Sequence, residues 1–413
     1  MISLQKMNNT VHINLAPQQS CTGCMACGDA CPKGCISFVC CGDGFSYPHI
    51  NHDKCIGCFA CQRTCPVLSP IPANSKYPKA YAAWAEKETR HKSASGGAYF
   101  AMAKAVVQDG GFVAGAVFDG KGVKHILTDE LDELKAIQGT KYFQSSTTGI
   151  YKQIKSLLKE GKTVLFGGTS CQVAGLLNIV GDKRKNLITV DLICYGVPSA
   201  LTIEVEERMR AKKLKRIISN RDKNHEGGWR NCYYMTCEWD DGSQTVSSPQ
   251  ESFMLAAFNS GKVMRSSCYN CSYKNLKRQA DITIGDYHNV KDFDEEKTDG
   301  ISLVMTHTPV GDTFLKSVSE LSIHERPIEE SLNGKRTIYY NDSIYGCHPM
   351  RKTMTWMLRH APLWLLNVSY RSLVKSKNPL VWPFTVFDLF YREINQRRAN
   401  KKMKQVLNQI YTR

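Results

Sequence analysis

The sequence has no long apolar run and no export signal. No segment approaches the roughly 18 to 20 consecutive apolar residues that a membrane-spanning helix needs. The best candidate, residues 361–380, is interrupted by Asn367, Arg371, Lys375 and Lys377. The first residues also lack the apolar core of a signal peptide. We therefore expect a protein that does not span a membrane and that lies in the cytoplasm, where cysteines stay reduced.

Acidic side chains are scarce near the carboxyl-terminal end. Residues 331–413 hold 15 Lys and Arg against three acids, so +12 of the net charge of +16 lies in the last fifth of the chain. We interpret this segment as a basic, aromatic, helical extension, with a charged helix over 395–405. Three interpretations stay open: docking on the anionic inner face of a membrane, docking on an acidic protein, or packing on the rest of the chain. No recognised nucleic-acid fold accompanies the charge, so we expect no specific nucleic-acid partner.

Cysteine, in contrast, is abundant and unevenly placed. Eleven of the 18 cysteines lie between Cys21 and Cys65, and one pattern occurs there twice. The run C-x2-C-x2-C-x3-C followed by Pro is typical of bacterial ferredoxins with two [4Fe–4S] clusters. It is formed by Cys21, Cys24, Cys27 and Cys31, and again by Cys55, Cys58, Cys61 and Cys65. Zinc sites lack the third cysteine and the trailing Pro, and disulfides are rare in a reducing compartment.

The spacing also predicts which thiolates share a cluster. Three cysteines separated by two residues each surround one cluster, and the fourth cysteine ligates the other cluster. The first quartet is therefore Cys21, Cys24, Cys27 and Cys65. The second quartet is Cys55, Cys58, Cys61 and Cys31. The cysteines that we interpret as unligated are Cys35, Cys40, Cys41, Cys232, Cys237 and Cys347.

The rest of the chain predicts an α/β fold, α+β overall. After a Pro-containing linker at 69–78, strand and helix patterns alternate to about residue 214, which is typical of a mainly parallel sheet. A hairpin around Asp240–Gly242 and further strands follow, either as a second lobe or as an extension of the first sheet. We predict a ferredoxin-like domain at 1–70, with a lead-in strand over 1–20. A mixed-sheet α/β domain at 79–330 and the helical extension at 331–413 follow.

The α/β segment resembles a known family. Five motifs occur in the order found in the beta subunits of coenzyme F420 hydrogenases and dehydrogenases: Ser93–Gly97, His125–Ser145, Gly168–Leu176, Asp191–Ser199 and Ser267–Tyr287. The resemblance implies a flavoprotein that binds FAD and passes electrons between iron–sulfur clusters and a two-electron acceptor. Two positions depart from the family pattern, because Ser170 stands where Pro is usual and Tyr195 where His is usual.

The resemblance directs attention to two segments for the flavin. Ser93 or Ser95 can cap the helix that follows, and Gly96 and Gly97 would let a pyrophosphate reach its free N–H groups. We expect the flavin ring or a phosphate to contact Lys141, Tyr142 and Gln144. An ordinary serine cap and a solvated lysine beside core aromatics are the alternatives. No G-x-G-x-x-G follows a strand, so an NAD-type site has little support.

Four further cysteines, the third quartet, predict a third [4Fe–4S] cluster: Cys171, Cys194, Cys268 and Cys271. The first two follow predicted strands, and the carboxyl ends of parallel strands face a ligand crevice. The other two form a C-x2-C loop. The resemblance supports the set, since relatives without the amino-terminal unit still carry a cluster. The alternatives are small buried residues for the first pair and half of a zinc site for the second.

These features together predict an iron–sulfur flavoprotein oxidoreductase. A ferredoxin-like donor or a partner redox subunit would load the clusters one electron at a time, and FAD would pass two electrons to an organic substrate. We assign no catalytic residue, and we interpret His288 and Tyr195 as structural. The alternatives are a non-catalytic electron-transfer subunit of a larger redox complex and a coenzyme F420-dependent oxidoreductase.

Overall fold

The structure, a computed structural model, describes residues 13–74, 78–224, 228–332, 349–366 and 382–411. The strands are β1 (Ile36–Cys40), β2 (Ser46–Ile50), β3 (Lys79–Ala85), β4 (Phe112–Asp119), β5 (Gly122–Thr128), β6 (Ser145–Ser146), β7 (Val164–Gly168), β8 (Leu187–Leu192), β9 (Leu214–Ser219), β10 (Met235–Trp239), β11 (Gln244–Ser247), β12 (Ile282–Asp286), β13 (Ser302–Thr306) and β14 (Leu321–Arg326). The α-helices are α1 (Ala26–Ala30), α2 (Ala60–Arg63), α3 (Lys87–Lys92), α4 (Ala98–Gln108), α5 (Leu131–Ile137), α6 (Ile150–Lys159), α7 (Ser170–Val180), α8 (Leu201–Arg210), α9 (Phe253–Ser260), α10 (Pro309–Ser317), α11 (Ile328–Leu332), α12 (Arg351–His360) and α13 (Trp382–Tyr411).

A nine-stranded mixed sheet forms the centre of the molecule, in the order β14-β3-β13-β12-β8-β7-β4-β5-β6. Strands β4, β7, β8 and β12 run parallel. Antiparallel pairs flank them, namely β4–β5 on one side and β12–β13, β13–β3 and β3–β14 on the other. The edge pair β5–β6 is again parallel. The predicted fold class is confirmed. The expectation of a mainly parallel sheet is wrong, because half of the eight strand pairs are antiparallel. The two-residue connection between β4 and β5, for example, permits only an antiparallel pair.

The later strands answer the question of a second lobe. Strands β12, β13 and β14 extend the first sheet, whereas β9, β10 and β11 form a separate three-stranded antiparallel sheet. The predicted hairpin is confirmed, since β10 and β11 pair with Met235 opposite Ser247, and the Gly242 N–H closes the turn on the Trp239 carbonyl.

Two layers of helices cover the central sheet. On β7, Leu165 packs into one buried cluster with Met102 and Val106 of α4, while its neighbour Phe166 packs into another with Val173 of α7. Successive residues of the strand thus pack against the helix layers on opposite faces of the sheet. A fully buried side chain of this kind stabilises the fold by roughly 1.5–3 kcal/mol.

The cysteine-rich unit packs its first half into one of these layers. Ala26 of α1 is fully buried and, with Cys24, joins the cluster that contains Val173 and Leu176 of α7. The predicted lead-in strand is not observed, since the described residues 13–20 hold only a turn and irregular backbone, and residues 1–12 lie outside the description. The unit therefore depends on the α/β domain for part of its core.

The carboxyl-terminal extension is helical where the structure describes it. Met354 and Met357 of α12 pack with Leu201 and Phe253, and the carboxyl-terminal end of α13 packs against Leu276 and its neighbours. This favours packing on the domain for these faces, and the predicted helix over 395–405 lies within α13. Cys347 lies outside the described residues. No helix in the described ranges is long and apolar enough to cross a membrane.

Candidate functional site

The two amino-terminal motifs fold into the same local shape. Gly23 and Gly57 have φ angles of 69° and 68°, and Met25 and Phe59 have φ angles of 61° and 58°. These left-handed residues turn the backbone just before α1 and α2. The two loops thus present their cysteines in equivalent ways.

The structure brings Cys65 to the loop that precedes α1. Burial raises the pKa of Cys27, and the neighbouring thiols of Cys24, Cys21 and Cys65 raise it further. In the other loop, burial raises the pKa of Cys61, and the thiols of Cys31 and Cys58 add to the rise. The members of each predicted quartet therefore lie near one another, as the crossed assignment expects. The ligation itself stays a prediction.

One cysteine outside the repeat lies against the second quartet. The Cys35 and Cys31 sulfurs are 3.3 Å apart, and the Cys35 N–H donates to the Cys31 sulfur over 3.4 Å. Cys40 is exposed on β1, while Cys232 and Cys237 are buried away from the quartets. The described residues contain no disulfide, since all of their cysteines are free.

The third quartet also comes together. Thr169 begins α7 with a capping box, which places Cys171 in its first turn. Cys194 lies two residues beyond β8. Burial raises the pKa of Cys171 to about 11 and of Cys268 to about 12, with the Cys271 thiol adding to both. Burial likewise raises the pKa of Cys194, helped by the other three thiols.

The first and third quartets are adjacent. Burial raises the pKa of Cys24 to about 12, and Cys171 is the neighbouring thiol that contributes most to that rise. Tyr273 lies near thiols of both quartets, since burial and then Cys171 and Cys24 raise its pKa. Cys61 of the second quartet in turn adds to the rise in the pKa of Cys27 in the first. A path therefore runs from the second quartet through the first to the third.

These thiol sets fit iron–sulfur clusters. Buried thiolates are costly without a compensating charge, and soft thiolates are the ligands that iron–sulfur clusters use. Among the described residues, no three or more His, Cys, Asp or Glu side chains are grouped to hold a single metal ion. A cluster requires a wider set, because its iron and sulfide lie between the thiolates.

A large cavity opens beside the third quartet. Its volume is about 1260 Å³, and all four thiols of that quartet line it. This volume exceeds the range of about 300–1,000 Å³ typical of small-ligand sites. Of the residues predicted to bind flavin, all but Gly96 line the cavity.

The structure changes the roles of the predicted serines. Gly97, with a φ of 83°, occupies the N-cap position of α4, and no side chain caps that helix. Ser93 instead donates to the Thr89 carbonyl, and Ser95 donates to the Ile301 carbonyl. The serine cap is therefore a wrong prediction. A Cβ on Gly96 would lie 2.4 Å from the Ala83 carbonyl oxygen, so the backbone there is held too close to β3 for a larger residue.

The segment around residue 141 also differs from expectation. The Lys141 ammonium donates to three carbonyls at the end of α5, those of Ala136, Ile137 and Gln138, and burial lowers its pKa to about 7. A solvated lysine is thus wrong, and its charge is already bound to a helix C-terminus. Tyr142 stacks on Phe258 with 4.3 Å between ring centroids.

Gln144 contacts the first cysteine loop. Its amide donates to the carbonyls of Thr22 and Gly23, and its oxygen accepts from Arg265 over 2.8 Å. Although Gln144 borders the cavity, its side-chain amide is therefore hydrogen-bonded to the cysteine loop and to Arg265. Sequence reasoning missed Arg265, and its position three residues before Cys268 was the only available signal.

A second polar group that sequence reasoning missed lies on the cavity wall. Arg221 forms a 2.8 Å ion pair with Asp286, which ends β12, and His288 lies 3.5 Å from the same carboxylate. The Arg221 guanidinium, with its neighbouring positive charge, holds the pKa of Asp286 well below its usual range against the effect of burial. His288 stacks on Trp229 at 4.8 Å. One Arg221 nitrogen, Nη2, has no hydrogen-bond partner in the described chain.

Comparisons with known proteins identify two families within the chain. Residues 20–68 match the 4Fe-4S dicluster domain, and residues 161–331 match the family described as the C terminus of the coenzyme F420 hydrogenase/dehydrogenase beta subunit. Both matches lie where the corresponding motifs were found, which confirms the resemblance. No curated protein matches the chain.

Several solved structures are similar to the chain. One of them is a xenon derivative of the F420-reducing [NiFe] hydrogenase complex from Methanosarcina barkeri, with 18% identity and a TM-score of 0.42. The match covers 62% of this chain and 84% of that chain. The family matches alone relate the chain to iron–sulfur redox subunits.

Proposed function

We propose that this chain is an iron–sulfur flavoprotein oxidoreductase that delivers electron pairs to an organic substrate in the large cavity. The observation that carries the proposal is the contiguous series of three cysteine quartets, the last of which lines that cavity. The dicluster family match supports [4Fe–4S] clusters on the first two quartets. A third cluster on Cys171, Cys194, Cys268 and Cys271 would connect them to the cavity.

Electrons would enter at the second quartet. Ile56 and Phe59, within the loop that holds Cys55, Cys58 and Cys61, are 60% and 39% exposed. An exposed apolar surface beside a cluster suits brief docking of a ferredoxin-like donor or a partner redox subunit. The first quartet, in contrast, is enclosed by the α/β domain and would act as the relay.

FAD is the cofactor that we propose for the cavity. Gly97 and the first-turn amides of α4 border the cavity, and such amides have no partner within their helix, so they suit a pyrophosphate. His125 and Arg221 also border it, and each has a buried nitrogen without a hydrogen-bond partner among the described residues. Bound FAD would supply the conversion between single electrons and electron pairs. The chain would orient it and exclude water.

Anaerobic purification tests the proposal. Iron, sulfide and flavin should be quantified per chain, with about twelve irons expected for three clusters and about eight for two. Cys194→Ser should remove about four irons, whereas Cys237→Ser, which alters a buried thiol of β10 outside the quartets, should remove none. Equal iron content in the two variants would refute the third cluster.

The flavin content separates the alternatives. Bound flavin with turnover of artificial donors supports the enzyme. Chains that stay flavin-free after anaerobic reconstitution would instead be non-catalytic electron-transfer subunits. Reduction of a deazaflavin would identify a coenzyme F420-dependent enzyme.

The basic carboxyl-terminal extension would bind peripherally to an anionic membrane surface. Trp356, Trp364 and Phe390 are 59%, 66% and 64% exposed. Aromatic residues of this kind, in a segment of high positive charge, suit peripheral binding to an anionic membrane. Co-sedimentation with anionic but not zwitterionic vesicles would support this, and binding to neither would leave an acidic protein as the partner.

A further inference from the structure

Arg265 is a buried cation without a carboxylate partner among the described residues. The side chain is fully buried. It donates to the Cys21 carbonyl (2.8 Å), the Gln144 side-chain oxygen (2.8 Å), the Ser46 carbonyl (3.1 Å) and the Cys21 sulfur (3.6 Å). The Tyr47 ring lies 4.4 Å from the guanidinium carbon. In the described ranges, no Asp or Glu lies within ion-pair distance of it.

Other buried arginines of the molecule do have carboxylate partners. Arg278 pairs with Asp191 at 3.1 Å, and Arg221 pairs with Asp286 at 2.8 Å. An arginine stays protonated in proteins, and an unpaired buried charge is strongly destabilising. The charge of Arg265 therefore requires an anion that the amino acids around it do not provide.

The position of Arg265 indicates which anion this is. Its side chain contacts the sulfur of Cys21 in the first quartet, and its backbone carbonyl accepts from the Cys268 N–H over 2.9 Å. None of its hydrogen bonds to described residues reaches the second quartet. The residue thus lies between the two inner quartets.

We propose that Arg265 is the counter-charge of the inner clusters and raises their reduction potentials. A [4Fe–4S] cluster with four thiolates is anionic, and it gains one more negative charge when it accepts an electron from its donor. A nearby cation in a low-dielectric interior stabilises the reduced form. Burial alone would favour the less charged, oxidised form, so Arg265 offsets that effect and keeps electrons beside the cavity. This inference rests on the proposed clusters.

Two substitutions separate charge from packing. In anaerobically purified full-length protein, Arg265→Gln should lower the reduced-to-oxidised ratio of the first cluster about tenfold at a fixed potential, which is a midpoint shift of about 59 mV for one electron. Arg265→Lys keeps the charge and should stay close to the unmodified protein. An EPR-monitored dithionite titration measures both, with the second cluster as the internal reference.

Controls identify the signals. Cys65→Ser marks the signal of the first cluster, and Cys31→Ser marks that of the second. Lys33→Gln removes an exposed cation near the second quartet, where water screens the charge, and should move neither inner midpoint.

The outcomes are distinct. Absence of clusters from the unmodified protein would defeat the proposed function itself. Clusters with unchanged midpoints in Arg265→Gln would overturn the counter-charge alone. Loss of the first cluster in both Arg265 variants would also overturn it, because the residue would then only hold the loop. Loss of the first cluster in Arg265→Gln, together with its retention in Arg265→Lys, would support the counter-charge role.

Discussion

The two halves of the dicluster unit are nearly identical in local conformation and very different in surroundings. The φ angles of Gly23 and Gly57, and of Met25 and Phe59, agree within a few degrees. Ala26 of the first half is nevertheless fully buried against the α/β domain, while Ile56 of the second half is 60% exposed. A repeated motif thus specifies the conformation of each cysteine loop, whereas the neighbouring domain determines how much of each loop is exposed.

The largest expected effect in this comparison comes from replacing the fourth cysteine of each half by serine. Cys65→Ser should perturb the enclosed cluster and Cys31→Ser the exposed one, because each fourth cysteine is predicted to serve the other half. Each variant should lose up to about four irons per chain. EPR spectra and iron analysis check this. If each variant disturbed the cluster of its own loop instead, the crossed assignment would be wrong.

A matched glycine pair sharpens the comparison. A Cβ on Gly23 would lie 2.3 Å from the Gln144 amide nitrogen and 2.7 Å from the Arg265 guanidinium carbon, in addition to the strain of its positive φ. Gly23→Ala should therefore destabilise the protein by about 3 kcal/mol or more. Gly57→Ala shares the positive φ and should cost about 1–2 kcal/mol from that strain.

The measurement for the glycine pair is the guanidinium midpoint of cluster release under anaerobic conditions. The Gly23 variant should release iron at the lower concentration. Equal midpoints would mean that the contacts of the first loop with Gln144 and Arg265 contribute little.

Acid should affect the α/β domain through its buried histidines. Burial lowers the pKa of His125 and of His307 to about 4, below the value of about 6.5 for an unfolded chain. As the pH falls, the unfolded state takes up protons first, so stability is complete above about pH 6.5 and falls toward pH 4. Each histidine contributes up to about 3 kcal/mol to this loss.

A variant pair checks the acid effect. His125→Gln should flatten the pH dependence of the unfolding midpoint, followed by tryptophan fluorescence. His49→Gln alters an exposed imidazole of the dicluster unit and should leave the dependence unchanged. The same slope in both variants would contradict the assignment to His125.

The smallest expected effect concerns the contact between the two domains. Asp29 accepts from the N–H groups of Gly149 (2.7 Å) and Tyr151 (3.0 Å), so it caps α6 from the dicluster unit. Asp29→Ala should cost about 0.5–2 kcal/mol. Arg63 occupies the matching position of the second half, is exposed, and should tolerate Ala within about 0.5 kcal/mol. Equal stabilities would show that this cap does not matter for docking.

Local chemistry explains why parts of this molecule were predictable. The spacing of the cysteines alone predicts the two cluster loops, and the turn residues Asp240–Gly242 predict the hairpin. Strands β7 and β8 were evident as short apolar runs. The antiparallel flanks of the sheet were not, because strand order depends on contacts between distant segments such as β3 and β14.

The cavity residues show the same limit. The topology rule for strand ends was enough to bring Cys171 and Cys194 together, and in the structure both line the cavity. The hydrogen-bond partners of the polar side chains could not be predicted from the sequence. Gln144 borders the cavity, yet its amide donates to the Thr22 carbonyl, more than 100 residues away in the sequence. Lys141 donates to the carbonyls at the end of α5, so its partners depend on the residue at which that helix ends.

The placement of Cys24 and Ala26 inside the packing of α7 has a consequence for biogenesis. Buried thiols such as that of Cys24 become inaccessible to an iron-delivery protein once the α/β domain has packed around them. If these thiols hold the proposed cluster, its insertion would have to precede or accompany the packing of the two units. A chain deprived of iron would then have an incompletely packed core where the dicluster unit meets α7.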